Sequence, residues 1–203
     1  MQSGFLALGD SYTLGEGLAG GANWPAQLAT RLRTHGIDIR EPQIIATTGW
    51  TTGDLSAAMD AAGFAPPYSL VTLSIGVNNQ YRGRPLDEYR TQFGALLRRA
   101  IALAGGDASR VVAVSIPDWG VTPFARAEGR NSERIAHEID AFNAVAYMEV
   151  DGDGASWTDV TAISRTPEVR TQLVADNLHP SEEQYAHWVD VILPVARVAL
   201  RSM

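Results

Sequence analysis

Ser11, Asp176 and His179 are the residues whose types and spacing could carry out a reaction. Ser11 ends the run Phe5-Leu6-Ala7-Leu8-Gly9-Asp10-Ser11, where a short apolar stretch breaks at a glycine and presents an acid and a hydroxyl. A serine hydroxyl is a poor nucleophile until a base takes its proton and donors receive the charge that develops. The segment Asp176-Asn177-Leu178-His179-Pro180 offers the base. A carboxylate three residues before a histidine on one loop can accept the ring's Nδ1–H, which fixes the tautomer that leaves Nε2 open to a proton. Ser11 would then attack, His179 would take its proton, and Asp176 would orient the ring. Pro180 and a capping box of Ser181 with Gln184 put His179 on a loop, which favours exposure.

The elements that must bring opposite ends of the chain together read as alternating strands and helices. Phe5–Leu8, Gln43–Thr47, Leu70–Ile75 and Val111–Ile116 are short apolar runs without alternation, and Trp157–Val160 is a fainter fifth. Such runs fit strands buried on both faces, as in a parallel sheet covered by helices. Helical spacing follows each of them. Asn23 caps a helix with Trp24, Leu28 and Leu32 on one face, and Thr52 or Asp54 starts another with Leu55, Ala58, Met59 and Ala62. Pro85 opens the clearest helix, with Leu86, Phe93, Leu96, Leu97, Ala100 and Ile101 inward and Gly105-Gly106 at its end. Ser132 begins a helix with Ile135, Ile139, Phe142 and Ala146, and Ser181 begins the last, burying Tyr185, Trp188, Ile192 and Val195 with a kink expected at Pro194. Residues 117–131, rich in Pro, Gly and Arg, read as a long loop bordering a pocket.

Ligands of open α/β sheets bind beyond the carboxyl ends of the strands, where strand order reverses. Ser11 follows the first strand, Gly49 the second and Asn78 the third, so all three belong to one edge of the sheet. That convergence carries more weight than any single residue type.

The bulk numbers narrow the classes. A chain of 203 residues, 45% hydrophobic and 19% charged, suits one domain over 1–203 with a sizeable core. Its net charge of −7 and lack of a basic run disfavour nucleic acid as a partner. With no cysteine, disulfides, thiolate zinc sites and cysteine nucleophiles are excluded. No apolar run approaches the roughly 18 residues of a membrane span, and no secretory leader is visible, so a cytoplasmic protein is expected, although a trimmed secreted one would read the same.

The blocks Gly9-Asp10-Ser11, Gly49, Gly76-Val77-Asn78-Asn79 and Asp176-Asn177-Leu178-His179 resemble, in order and across the chain, those of the SGNH/GDSL hydrolases. The resemblance implies a flavodoxin-like three-layer α/β/α sandwich and hydrolysis of small-molecule carboxylic esters or thioesters without a cofactor or metal. It also implies an oxyanion hole built from the Ser11 N–H, the Gly49 N–H and the Asn78 side chain, with Asp10 and Asn79 supporting from behind. The third block commonly ends in aspartate, so Asn79 implies altered hydrogen bonding around the site. Esterase, lysophospholipase, thioesterase and sugar deacetylase activities all occur on such a framework.

Two other function classes stay in view. Gly15-Glu16-Gly17-Leu18-Ala19-Gly20 matches a dinucleotide fingerprint, with Asp38 and Glu41 at a fitting distance, but such a motif should start directly at the strand end. A non-catalytic carbohydrate- or lipid-binding module on the same fold would keep the architecture without the chemistry. Asp151-Gly152-Asp153-Gly154 fails as a calcium loop, because Ala155 and Ser156 fall where a ligand and a glycine are needed. His35, His137 and His187 share no metal-like spacing with acids and read as surface residues. Trp24, Trp50, Tyr81 and Trp119 are candidate rim aromatics.

Overall fold

A computed structural model describes residues 3–201. Strands β1 (Phe5–Asp10), β2 (Gln43–Thr47), β3 (Leu70–Ser74), β4 (Val111–Val114) and β5 (Ser156–Thr158) form one sheet in the order β2-β1-β3-β4-β5. Every neighbouring pair is parallel. The chain steps from β1 to β2 on one side and returns to β3 on the other, so strand order reverses at β1.

Helices cover both faces. Helices α2 (Trp24–Thr34) and α9 (Glu182–Arg201) pack together on one side, and α3 (Thr52–Ala61), α5 (Leu86–Leu103) and α7 (Ser132–Gly152) on the other. This is the three-layer α/β/α arrangement expected from the sequence. β1, β3 and β4 are buried along their whole lengths, as their unbroken apolar runs require. The apolar faces of α2 and α5 fall as their spacing predicts, and Trp24, Trp188, Tyr89 and Tyr185 are among the largest fully buried side chains.

Gly9 is where β1 can pass its neighbours. A Cβ there would lie 2.6 Å from the Ser74 carbonyl oxygen of β3 and closer still to Thr13, so any side chain would push β1 off β3.

Some expectations need correction. Residues 117–131 are not a long loop: Trp119–Val121 is a 3₁₀ turn and α6 (Pro123–Ala127) is a helix capped by Thr122. β2 is half-buried, not fully buried, because it lies at the sheet edge. β5 begins at Ser156 and ends before Asp159, and Val195 is half-buried. The capping box at Ser181 is only half made. Its hydroxyl accepts the Gln184 N–H at 3.4 Å, but the Gln184 side chain donates to the Val169 carbonyl instead of turning back. Pro194 lies inside α9, as the sequence places it, and faces solvent. Three short helices carried too little periodicity to be seen: α1 (Ser11–Leu14), α4 (Val77–Tyr81) and α8 (Thr161–Arg165).

Candidate active site

β1 runs straight into α1, and Asp10 is the joint. Its carboxylate caps α1 by accepting the Tyr12 N–H at 3.1 Å, and it also accepts from the Gly76 backbone beyond β3. Ser11 is therefore the first residue of a one-turn helix, a position whose backbone N–H has no acceptor within the helix. Asp10 is 2% exposed, and burial pushes its carboxyl up to about 7 against the opposing pull of the backbone N–H groups.

The Asp176–His179 loop arrives from the far end of the chain and is stiffened by its own carboxylate. Asp176 Oδ1 accepts the N–H groups of Leu178 and His179 at 2.8 and 2.9 Å, while Oδ2 meets His179 Nδ1 at 2.6 Å. Such a tight turn needs a left-handed residue, and Asn177 supplies it at φ 60°. The His179 carbonyl accepts from Val174 N–H, closing the loop on itself. His179 Nε2 then lies 2.9 Å from Ser11 Oγ. Burial opposes ionisation of Asp176, but the bonds from the His179 ring and the two backbone N–H groups outweigh it and hold the carboxyl below the usual range.

The structure thus brings Ser11, His179 and Asp176 into one hydrogen-bonded row. It corrects the expected exposure of His179, which is 6% exposed because its ring packs on Tyr12 at 5.2 Å between centroids. The half-exposed member is Asp176.

Gly49 and Asn78 border the same cavity as Ser11 and His179. Gly49 has φ 82° with little nearby except Arg82, so it is glycine for its backbone conformation and not for lack of room. Arg82 donates to the Gly49 carbonyl, and Asn78 Nδ2 donates to the Trp50 carbonyl at 2.9 Å. Only one of the two Asn78 amide hydrogens is used in that bond. Asn79 is fully buried behind it. Its Oδ1 accepts the Thr52 N–H at 3.0 Å and its Nδ2 donates to Thr52 Oγ1 at 2.7 Å. The Thr52 hydroxyl proton goes to Gln92, so the Thr52 oxygen needs a donor, which an amide provides and a carboxylate does not. That accounts for asparagine at this position.

The cavity has a volume of about 230 Å³. Its walls are Tyr12, Val77, Tyr81, Trp119, Phe124 and Leu178, with Thr48 at the side. Of the four candidate rim aromatics, Tyr81 and Trp119 line it, Trp24 is core, and Trp50 contributes its carbonyl. Phe124 also lines it, and no sequence signal marks it, because α6 is too short to show a helical period; its N–H donates to the Asn177 carbonyl at 3.2 Å, tying α6 to the His179 loop. Trp119 is held by its indole N–H, which donates to Gln80 at 2.8 Å.

The Gly15–Gly20 run follows α1 and does not start at the strand end. Gly15 caps α1 in the left-handed region, and Gly17 lies against Val174 of the His179 loop. No group of three or more His, Cys, Asp or Glu able to hold a metal occurs among the described residues.

Comparison with known proteins places these features. Residues 7–187 match the family model of the GDSL-like lipase/acylhydrolases. The chain belongs to that family of hydrolases. No curated protein sequence matches it. Among solved structures, TesA superposes with a TM-score of 0.76 at 20% identity, covering 98% of this chain and 100% of the other. A lipase/acylhydrolase from Enterococcus faecalis gives 0.73 at 19% identity, covering 99% and 97%. An acetyl xylan esterase from Geobacillus stearothermophilus gives 0.72 at 20% identity, covering 97% of each chain. At such identities the likeness is one of fold.

Proposed function

We propose that the protein hydrolyses carboxylic esters or thioesters through an acyl-enzyme on Ser11. The observation that carries the reading is the row Asp176–His179–Ser11, with contacts of 2.6 and 2.9 Å, opening onto an apolar cavity. His179 Nε2 takes the Ser11 proton as Oγ attacks the acyl carbon. Asp176, ionised, holds the ring by Nδ1–H and stabilises the imidazolium that forms. The negative charge on the former carbonyl oxygen is met by the Ser11 N–H, the Gly49 N–H and the second Asn78 amide hydrogen. His179 then gives its proton to the departing alcohol or thiol. Water, deprotonated by the same nitrogen, releases the acid and restores Ser11.

Ser11→Ala should fold normally and lose nearly all hydrolysis of 4-nitrophenyl esters. A fluorophosphonate probe should label the wild-type protein at Ser11 and leave the variant unlabelled. Turnover that survives in Ser11→Ala removes the assignment of the nucleophile, and absence of both labelling and turnover in the wild type favours a binding module. Asn78→Ala should lower kcat on the order of 100-fold. A loss under tenfold takes Asn78 out of the oxyanion hole.

A further inference from the structure

Beyond Tyr81 lies a second cavity of about 610 Å³, and its electrostatics run against those of the whole molecule. The chain carries a net charge of −7, yet four guanidiniums, Arg82, Arg84, Arg130 and Arg134, and one carboxylate, Glu138, line this space. Tyr81 is a wall of both cavities, so the two adjoin. Arg130 sits at that partition. Its guanidinium carbon lies 4.8 Å from the Tyr81 ring centre and 5.7 Å from that of Trp119, a wall of the ester cavity. Stacking uses the face of the guanidinium and leaves the N–H groups on its edge free to donate.

Glu138 offsets one of the four charges: it accepts from Arg134 Nε and from Gln80, at 2.7 Å each, and feels Arg130 only at longer range, so three guanidiniums remain in excess. Arg82 spends one N–H on the Gly49 carbonyl and stands 3.8 Å from Asp54. The Arg84 and Arg130 side chains have no hydrogen bond or ion pair to an acid among the described residues. Asp54 feels Arg84 only at longer range. Two forks without an acid partner, those of Arg84 and Arg130, line the cavity and suit a planar or tetrahedral oxyanion that can accept several N–H bonds at once.

We propose that this second cavity binds an oxyanion, phosphate or carboxylate, carried by the ester or thioester whose acyl carbon is attacked at Ser11. The inference rests on the hydrolase reading given above and adds to it a substrate class: esters with a charged end, lying across Tyr81. The anion belongs either to the acyl part or to the leaving group.

Two matched pairs separate those sources. The 4-nitrophenyl monoester of succinate against 4-nitrophenyl butyrate places the charge on the acyl side. Butyryl-coenzyme A against S-butyryl-N-acetylcysteamine places it on the thiol side. For at least one pair, kcat/KM of the anionic member should exceed that of the neutral one by about tenfold or more at low salt, mainly through KM. The ratio should shrink as ionic strength rises. It should fall to about threefold or less in Arg84→Gln, which touches neither aromatic wall, and in Arg84→Gln/Arg130→Gln. Neutral members hydrolysed as well as their anionic partners in both pairs, or a preference that persists in both variants, overturn the proposal and leave the hydrolase reading standing. Failure of the wild type to turn over any of the four substrates in a Ser11-dependent way strikes that reading instead.

Discussion

Asp10 and Ser11 are adjacent, and their surroundings ask opposite things of them. Ser11 lines the cavity 2.9 Å from His179, whereas Asp10 is buried and serves as a cap. A buried carboxyl whose folded value is near 7 binds a proton that the unfolded chain, at 3.8, has released. Its contribution to stability is complete below the unfolded value and is lost as pH rises through the folded one. Stability attributable to Asp10 should therefore decline between pH 4 and 7. In Asp10→Asn, which keeps an oxygen acceptor for the Tyr12 N–H, that decline should flatten. Thermal unfolding of both proteins across this range decides it, and identical slopes would mean that Asp10 is not the group responsible. Asp176 has the opposite sign. Its carboxyl is held below the usual range, so its stabilising contacts persist above the unfolded value and are lost only as pH falls through the lower folded one.

At the scale of elements, α4 and α3 are fastened by Asn79 and Thr52, and that pair keeps Asn78 aimed at the cavity. Asn79→Asp sets a carboxylate against a hydroxyl whose proton is already given to Gln92. It should cost about 1–3 kcal/mol in chemical denaturation. Asn79→Ala leaves the Thr52 N–H without its acceptor and should cost a similar amount. An Asn79→Asp variant as stable as the parent would show that Thr52 can turn its proton around. α6 and the 3₁₀ turn before it form the wall carrying Trp119 and Phe124, and their anchors are Gln80 and the Asn177 carbonyl. Removing the Trp119 side chain should widen acceptance of longer or bulkier acyl groups, read as a shift in relative kcat/KM along a series of 4-nitrophenyl esters. An unchanged series would place the acyl group against another wall.

Across the whole molecule, the two ends of the sequence are held together by α9. Tyr185 donates to the Tyr12 carbonyl at 2.9 Å, and Trp188 stacks near the Tyr12 ring that packs on His179. The C-terminal helix thus supports both partners of the Ser11–His179 contact while covering β3, β4 and β5. Trp188→Ala empties a fully buried site and should destabilise the fold by about 3–5 kcal/mol. It should also lower activity under conditions where the variant is still folded. Full activity in the folded variant would show that Tyr12 holds His179 without this support.

The order of the elements, the identity of their buried faces and the parallel sheet were legible in the sequence, because continuous apolar runs and helical spacing are local signals that burial enforces. The family blocks were legible as short patterns, but their causes differ: the acid three residues before His179 closes its own turn, whereas Gly9 is required by the approach of β3. What the tertiary structure decided lay between segments. Half-burial of β2 depends on which strand has no outer neighbour, and the burial of His179 depends on Tyr12 reaching it from the opposite terminus. The helix α6 is too short to show a period, and the wall it builds gains its meaning from Phe124 meeting Asn177. Arginines spread over Arg82 to Arg134 look like ordinary solvated charge along the chain; only the packing of α4 beside the start of α7 gathers them around one space. Local chemistry is written in the order of residues, but an electrostatic field is a sum over positions that only the folded chain supplies.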